Sequence, residues 1–240
     1  MIAPLIVVTG TGTEIGKTHF AGALLLAWGR VLAEAGSGDA RVLGLKPVES
    51  GVTGQRGEDG ALLERLSTFN VKQFPPPYLL ARAVSPHLAA RDEGRTIELL
   101  SIRAYVEEAR TAALAGVVVE LAGGLFSPLG RDLCNADLAI ALDADAVLLV
   151  APDRLGVLHD LGATTRAAAA IGLPLYGIVL NAPPTADLST GCNAAEVAIV
   201  TKVPVRAVVP RAALAEVSVR ADVAAIARAF VTPLATPRRP

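Results

Sequence analysis

Residues 5–20 read LIVVTGTGTEIGKTHF: an apolar run, a glycine-rich turn ending in Gly-Lys-Thr, and the start of a helical stretch. A strand, such a turn and a helix form the setting in which backbone N–H groups and a helix N-terminus bind phosphate. Five residues lie between Gly10 and Gly16, whereas the common G-x-x-x-x-G-K-[ST] motif has four. We predict a variant phosphate-binding loop in which Lys17 neutralises phosphate charge and the Thr18 hydroxyl coordinates Mg²⁺. An ordinary tight strand–helix turn is the alternative.

Short apolar runs of the same kind recur along the chain. They are continuous rather than alternating, which is typical of strands buried on both faces of a parallel sheet. The runs are LIVV (5–8), VLGL (42–45), VVVE (117–120), AVLLV (146–150), LYGIVL (175–180) and VRAVV (205–209). Between them, stretches of helical length end on glycines placed to cap helices: 19–36, 96–116 and 158–172. We predict an α/β protein with a single-domain P-loop NTPase-like fold over residues 1–231, a mostly parallel β-sheet with helices on both faces, and a disordered tail at 232–240.

The bulk composition restricts the possible partners. Of the 240 residues 52% are hydrophobic and 19% charged, and the formal net charge of −1 predicts neither nucleic acid nor an anionic membrane as partner. Cys134 and Cys192 lack ligand spacing, which is typical of free thiols in a reducing compartment. The first apolar run has no positively charged region or cleavage motif, and no segment reaches the roughly 18 apolar residues of a membrane span. We expect a cytoplasmic protein.

Polar side chains follow the predicted strands at their carboxyl ends, where ligands bind in sheets of this kind. Lys46 follows the second run and would place a second cation opposite Lys17, which suits phosphoryl transfer; a solvated lysine is the alternative. Asp59 and Glu120 are candidate Mg²⁺ ligands, since a nucleotide-bound ion takes one or two carboxylates. Asp59 by itself is also typical of the first turn of a helix. His19, judged on its own, is expected to be a structural residue of the first helix.

Several stretches, which cover roughly residues 5–211, follow one another in the order found in a known enzyme family. They are VTGTGTEIGKT (8–18), LKPVESG (45–51), SPHLAA with EGRTIE (85–98), VVVELAGGLFSPL (117–129), RLG (154–156) and VLNAPP (179–184). On these stretches, and above all on the longer phosphate loop followed by a Lys-Pro-Val turn, the chain resembles the dethiobiotin synthetases, a family of ATP-dependent enzymes of biotin biosynthesis.

The resemblance implies a cyclo-ligase that forms C–N bonds with Mg²⁺ and ATP. Such an enzyme converts 7,8-diaminononanoate, CO₂ and ATP into dethiobiotin, ADP and phosphate. One amine takes up CO₂ as a carbamate, the γ-phosphoryl group moves onto it as a carbamic–phosphoric anhydride, and the second amine closes the ring and expels phosphate. The family works as a homodimer in which a helix start of the second subunit, here RLGVLHD (154–160), holds the substrate carboxylate.

The resemblance also assigns roles to individual positions. The implied catalytic residues are Thr13, Glu14, Lys17 and Lys46. The implied metal ligands are Thr18, Asp59 and Glu120. The implied substrate contacts are Lys46, Ser50, Gly156 and Val157. The implied nucleotide contacts are Glu14, Ile15, Gly16, Lys17, Thr18, His19, Asp59, Glu120, Gly123, Asn181, Ala182, Val209, Pro210 and Arg211, with Asn181 reading the adenine edge.

Three positions depart from the family pattern. Leu121 replaces a glycine next to Glu120, the pair His159-Asp160 stands where Asn-His is common, and Arg211 stands where an aromatic residue is common. Two other functions fit parts of the sequence: a nucleotide-dependent switch related to partitioning ATPases, and a glutamine-dependent amide ligase. The first would carry a second lysine early in the phosphate loop, and the second would need a glutaminase domain.

Overall fold

The computed structural model describes residues 3–37, 41–69 and 75–231. The predicted tail at 232–240 lies outside the described residues. The elements in chain order are β1 (Leu5–Gly10), α1 (Lys17–Glu34), β2 (Arg41–Leu45), β3 (Val48–Ser50), α2 (Glu58–Leu66), β4 (Tyr78–Leu80), α3 (Pro86–Asp92), α4 (Leu99–Ala113), β5 (Leu114–Glu120), β6 (Pro128–Gly130), β7 (Leu133–Cys134), α5 (Asn135–Ala141), β8 (Ala146–Pro152), α6 (Val157–Ala170), β9 (Gly177–Asn181), α7 (Asn193–Val200), β10 (Val205–Val209), α8 (Leu214–Ser218) and α9 (Ala221–Arg228).

A six-stranded sheet runs through the centre in the order β10-β9-β8-β1-β5-β2. All of its pairings are parallel, and Val7 of β1 lies between Val119 of β5 and Val147 of β8. Each of the six predicted runs forms one of these strands, with bounds shifted by a few residues. All the carboxyl ends therefore lie at one edge of the sheet, and the polar residues that follow the strands gather there.

The two faces of this sheet bury separate hydrophobic clusters. In β1, Leu5 and Val7 belong to one cluster and Ile6 and Val8 to the other, because successive side chains of a strand point to opposite faces. The first cluster includes buried residues of α3 to α7, and the second includes those of α1, α2, α8 and α9. The predicted architecture, a mostly parallel sheet with helices on both faces, is confirmed.

One predicted helix end is wrong. The stretch 96–116 was expected to end with Gly116 as a cap, but α4 ends at Ala113 and β5 follows directly. Gly116 lies inside β5, and a Cβ at this position would overlap the ring of Trp28 on α1. The glycine is therefore required by the close packing of α1 on the sheet. Gly36 and Gly172, by contrast, follow their helices with φ of 76° and 73°, as predicted for caps.

Two short ribbons lie outside the central sheet. β3 and β4 pair in parallel, and β6 and β7 pair antiparallel. The first ribbon places Glu49 and Ser50 just after Lys46 at the carboxyl edge of β2, facing the start of α2. Within the described ranges, none of the helices has the length and hydropathy that a membrane span requires.

Candidate active site

The phosphate loop connects β1 to α1 through a sharply turned backbone. Glu14 and Gly16 have φ of 57° and 84°, the left-handed region in which glycine is favoured. A Cβ on Gly16 would lie 2.5 Å from Asn181 Nδ2, so a larger residue has no room there. Lys17 is buried and its Nζ donates to the Gly12 carbonyl at 2.6 Å. Burial, with the nearby charge of Lys46, lowers the pKa of Lys17 to about 8.

Lys46 lies at the centre of a buried charge cluster. Its Nζ donates to Glu120 Oε1 at 2.5 Å and to Asp59 Oδ2 at 2.9 Å, and the Thr18 hydroxyl donates to the same Glu120 oxygen at 2.9 Å. Burial alone favours the neutral amine, but the two carboxylates outweigh it and raise the pKa of Lys46 above its ordinary value. Lys46 also lowers the pKa of Asp59, although burial acts in the opposite direction. The cluster therefore holds an ammonium between two carboxylates.

The three predicted metal ligands meet in this cluster. Thr18, Asp59 and Glu120 offer only oxygen donors, and Glu120 Oε2 is buried with no hydrogen-bond partner among the described residues. Hard oxygen donors in this number suit Mg²⁺, which keeps waters and takes further oxygens from phosphate. In the part of the chain that the structure describes, no group of three or more His, Cys, Asp or Glu side chains is placed to hold a metal. One hydroxyl and two carboxylates fit Mg²⁺ that takes its remaining oxygens from a nucleotide and from water.

A cavity of about 740 Å³ opens over the cluster. All four predicted catalytic residues line it, and so do the three predicted metal ligands and Ser50, whose Oγ is buried without a hydrogen-bond partner. The substituted residue Leu121 does not line the cavity. Its side chain is 1% exposed within the hydrophobic cluster, and its N–H donates to the Val8 carbonyl. Leu121 thus packs into the core and leaves Glu120 in the lining of the cavity.

A second cavity, of about 520 Å³, adjoins the first at Gly16. It is lined by the predicted nucleotide contacts His19, Asn181, Ala182, Val209, Pro210 and Arg211, together with Ala212 and Ala213. His19 lies in α1 and lines this cavity together with residues at the end of β10, where the family resemblance implies a nucleotide contact. Burial lowers the pKa of the His19 imidazole, and within the described part of the chain its Nε2 has no hydrogen-bond partner.

Asn181, at the end of β9, joins the second cavity to the phosphate loop. Its Nδ2 donates to the carbonyls of Ile15 and Gly16, both at 2.9 Å. These bonds fix the orientation of the amide, because only the nitrogen can donate to two carbonyls. Within the described ranges, Asn181 Oδ1 is buried without a hydrogen-bond partner and is an acceptor beside the cavity.

Gly156 and Val157, the predicted contacts of the substrate carboxylate, lie apart from these cavities. Gly156 caps α6 with φ of 92°, and the Val157 side chain is fully buried in the core. Only backbone groups of this pair are therefore available to a ligand. Asp160 Oδ2 lies 3.8 Å from Arg154 Nη2, so the negative charge of Asp160 faces a positive one. Within one chain, the structure does not bring this helix start to Lys46 and Ser50.

Comparison with known proteins points to one family. A family model described as an AAA domain matches residues 5–217. The chain is 42% identical to the ATP-dependent dethiobiotin synthetase BioD of Anaeromyxobacter dehalogenans (strain 2CP-C) over 198 residues, which are 81% of this chain and 84% of that protein. It is 38% identical over 209 residues to the protein of that name from Rhodopirellula baltica, covering 80% and 78% of the two chains.

Solved structures resemble the chain in fold. The MinC:MinD cell division protein complex of Aquifex aeolicus gives a TM-score of 0.59, at 13% identity over 98% of this chain and 99% of that one. A ParA family ATPase from Chlorobium tepidum gives 0.53, at 13% identity over 94% and 96%. These similarities confirm the P-loop NTPase-like fold, and at such low identity they carry no argument about function.

Proposed function

Because this chain belongs to the ATP-dependent dethiobiotin synthetase family, ligases of biotin biosynthesis, we propose that it carboxylates 7,8-diaminononanoate with CO₂ and closes the ureido ring through a carbamate and a carbamic–phosphoric anhydride. One observation carries the proposal. Lys46, held between Asp59 and Glu120, lines the same cavity as Lys17 and Thr18 of the phosphate loop. An anionic carbamate and an anionic phosphoryl donor repel each other, so their reaction requires cations such as these two beside the phosphate site.

The nucleotide occupies both cavities in this proposal. Its phosphates lie on the loop at Gly16 and Lys17, and its base lies between His19, Asn181 and Pro210. Asn181 Oδ1 is an acceptor, so it matches the exocyclic amine of adenine, whereas guanine presents a carbonyl at the same edge. Hydrogen-bond complementarity therefore favours ATP.

Thr18, Asp59 and Glu120 hold Mg²⁺ in this proposal. The ion supplies positive charge that stabilises the transferring phosphoryl group. The three residues provide one hydroxyl and two carboxylates, and the unpartnered Glu120 Oε2 is available as a further donor. Thr13 and Glu14 border the same space on the side of the loop.

The diamine and its carbamate lie on the Lys46 side of the larger cavity. The Ser50 hydroxyl is free to accept from or donate to the diamine nitrogen or the carbamate. Lys46 and Lys17 screen the negative charge that builds up as the carbamate approaches the γ-phosphoryl group, and their burial strengthens this effect. The γ-phosphoryl then passes to a carbamate oxygen, and the second amine displaces phosphate.

A homodimer completes the proposed site. The N-terminus of α6 at Gly156 of the partner subunit receives the substrate carboxylate, because free N–H groups and the helix dipole favour an anion. This assignment accounts for the separation of Gly156 from Lys46 within one chain. We place the enzyme in the cytoplasm, in line with its two free thiols.

Phosphate release tests the proposal. With ATP and Mg²⁺, we expect release to depend on both 7,8-diaminononanoate and bicarbonate, and a product of the mass of dethiobiotin to accumulate in equal amount. Steady phosphate release that does not depend on the diamine would contradict the proposed reaction and indicate an ATPase with a different function.

A further inference from the structure

Glu49 stabilises the start of α2 from a different element. Its side chain is 7% exposed, and its two carboxylate oxygens accept the backbone N–H groups of Asp59 at 2.9 Å and Gly60 at 3.0 Å. These are the second and third residues of α2, whose N-terminal N–H groups have no partner within the helix. The residue at the helix cap is Gly57, which has no side chain to supply such a bond. The carboxylate on β3 therefore takes the place of a local cap.

The space around this carboxylate is shaped for it. A Cβ on Gly57 would overlap the Glu49 carboxylate, although the backbone angles of Gly57, φ −82° and ψ 160°, are open to any residue. The Glu49 carboxylate, rather than the backbone conformation, is therefore what a side chain at position 57 would meet, and such a side chain would have to displace that carboxylate.

The backbone that Glu49 holds carries one of the residues placed at Mg²⁺. The Asp59 carboxylate lies 2.9 Å from Lys46 Nζ, and Lys46 in turn contacts Glu120. β3 therefore fixes α2 through Glu49, and α2 presents Asp59 toward Glu120 on β5. A partly exposed aspartate on a helix start would otherwise move with the loop that precedes it.

We infer that Glu49 is a positioning residue for the metal site: its two hydrogen bonds set the first turn of α2 so that Asp59 reaches Mg²⁺ together with Thr18 and Glu120. The inference rests on the proposed function, because the metal site is part of it. Residues that orient metal ligands without touching the metal commonly affect binding as strongly as some ligands do.

Two variants perturb Glu49 in different ways. In Glu49→Gln the amide oxygen accepts one N–H, while the amide nitrogen faces the other donor and cannot accept it. In Gly57→Ala the carboxylate is kept but displaced. The probe is Mn²⁺ bound with a non-hydrolysable ATP analogue, followed by electron paramagnetic resonance. We expect each variant to weaken Mn²⁺ binding by about 10- to 100-fold. The double variant should lose little more than either single one, because both changes act on one contact.

A matched control separates positioning from general stability. Asp145 Oδ2 also accepts a backbone N–H, that of Leu5 at 2.7 Å, but at the opposite edge of the sheet. Asp145→Asn makes the same carboxylate-to-amide change, so it should lower the melting temperature and leave Mn²⁺ affinity unaltered. If Glu49→Gln and Gly57→Ala both lower the melting temperature but leave the Mn²⁺ affinity unaltered, the inference is overturned.

Asp59→Asn distinguishes this failure from a failure of the metal site itself. If Asp59→Asn weakens Mn²⁺ binding and the two Glu49-directed variants do not, Glu49 has no positioning role and the proposed metal site stands. If Asp59→Asn also binds Mn²⁺ normally, the metal site is wrong, and the inference fails with it.

Discussion

At the scale of single residues, the site depends on Lys46. A buried ammonium is tolerated only when it is paired, and here Glu120 and Asp59 supply the pairing charges. Its high pKa keeps the side chain charged at neutral pH, so it remains a cation while carboxylates or phosphates face it. The pKa of Lys17 falls to about 8, so its charged form is less strongly favoured than that of Lys46 when no ligand is bound.

Replacing Lys46 should separate catalysis from binding. We expect Lys46→Ala to lower kcat by about a hundredfold, near 3 kcal/mol of transition-state stabilisation, while ATP affinity persists through the loop and Lys17. Lys46→Arg should restore only part of the rate, because a planar guanidinium does not replace a compact ammonium. Single-turnover phosphate release and ATP titration calorimetry measure the two quantities. An equal loss of both would make Lys46 a binding residue instead.

Asn181 should control nucleotide affinity through the loop it holds. In Asn181→Asp two N–H donors are lost, and a carboxylate faces the carbonyls of Ile15 and Gly16. Each unpartnered group costs about 1–3 kcal/mol, so ATP binding should weaken by at least about tenfold. Titration calorimetry with ATP and with GTP measures the effect. Unchanged ATP affinity would show that the loop keeps its shape without Asn181.

At the scale of elements, the glycine of β5 shows how tightly α1 packs on the sheet. Gly116→Ala forces a methyl group against the Trp28 ring, and overpacking of this kind costs about 1–3 kcal/mol. The melting temperature should therefore fall, with kcat unchanged in the folded enzyme. Gly54→Ala is the control, because a Cβ there meets no atom within 4 Å. Equal melting temperatures for the two variants would contradict the packing argument.

Elements also differ in how far the sequence could predict them. The six central strands were predicted because continuous apolar runs are typical of buried parallel strands. β3, β4, β6 and β7 have two or three residues each, too few for any hydrophobic period to appear. The phosphate loop and Lys46 could be predicted because they directly follow strands. The contact of Glu49 with the start of α2 could not be predicted, because it joins two elements that only folding brings together. The family resemblance, rather than the pattern around it, pointed to His19 as a nucleotide contact.

At the scale of the whole molecule, two exposed leucines lie near the start of α6, beside the carboxyl edge of the sheet. Leu155, just before α6, is 73% exposed, and its N–H donates to Asp187 Oδ2. The neighbouring Leu188 is fully exposed. Leu155 directly precedes Gly156, the helix start that we propose for the partner's substrate, so its exposed side chain is a candidate subunit contact.

A charge at Leu155 should weaken the proposed homodimer. We expect Leu155→Asp to raise the monomer fraction in sedimentation velocity. It should also increase the KM for the diamine, because the substrate carboxylate then loses the N–H groups that the partner's α6 would supply. ATP affinity should persist, since both nucleotide cavities lie within one chain. Val219→Asp, at a 62% exposed position beside α8 on the other face of the sheet, is the control. A variant that dimerises normally would place the subunit contact elsewhere.

The buried polar atoms that line the two cavities link the stability of the folded protein to ligand binding. Among the residues that the structure describes, His19 Nε2, Ser50 Oγ, Glu120 Oε2 and Asn181 Oδ1 are buried and have no hydrogen-bond partner. A ligand that supplies their partners completes the interior of the molecule, and such a ligand stabilises the folded state by mass action. ATP and the diamine would then act as folding partners as well as reactants. Under the proposed function, the empty enzyme should unfold and be degraded sooner when either ligand is scarce, and its abundance in the cell should follow their supply.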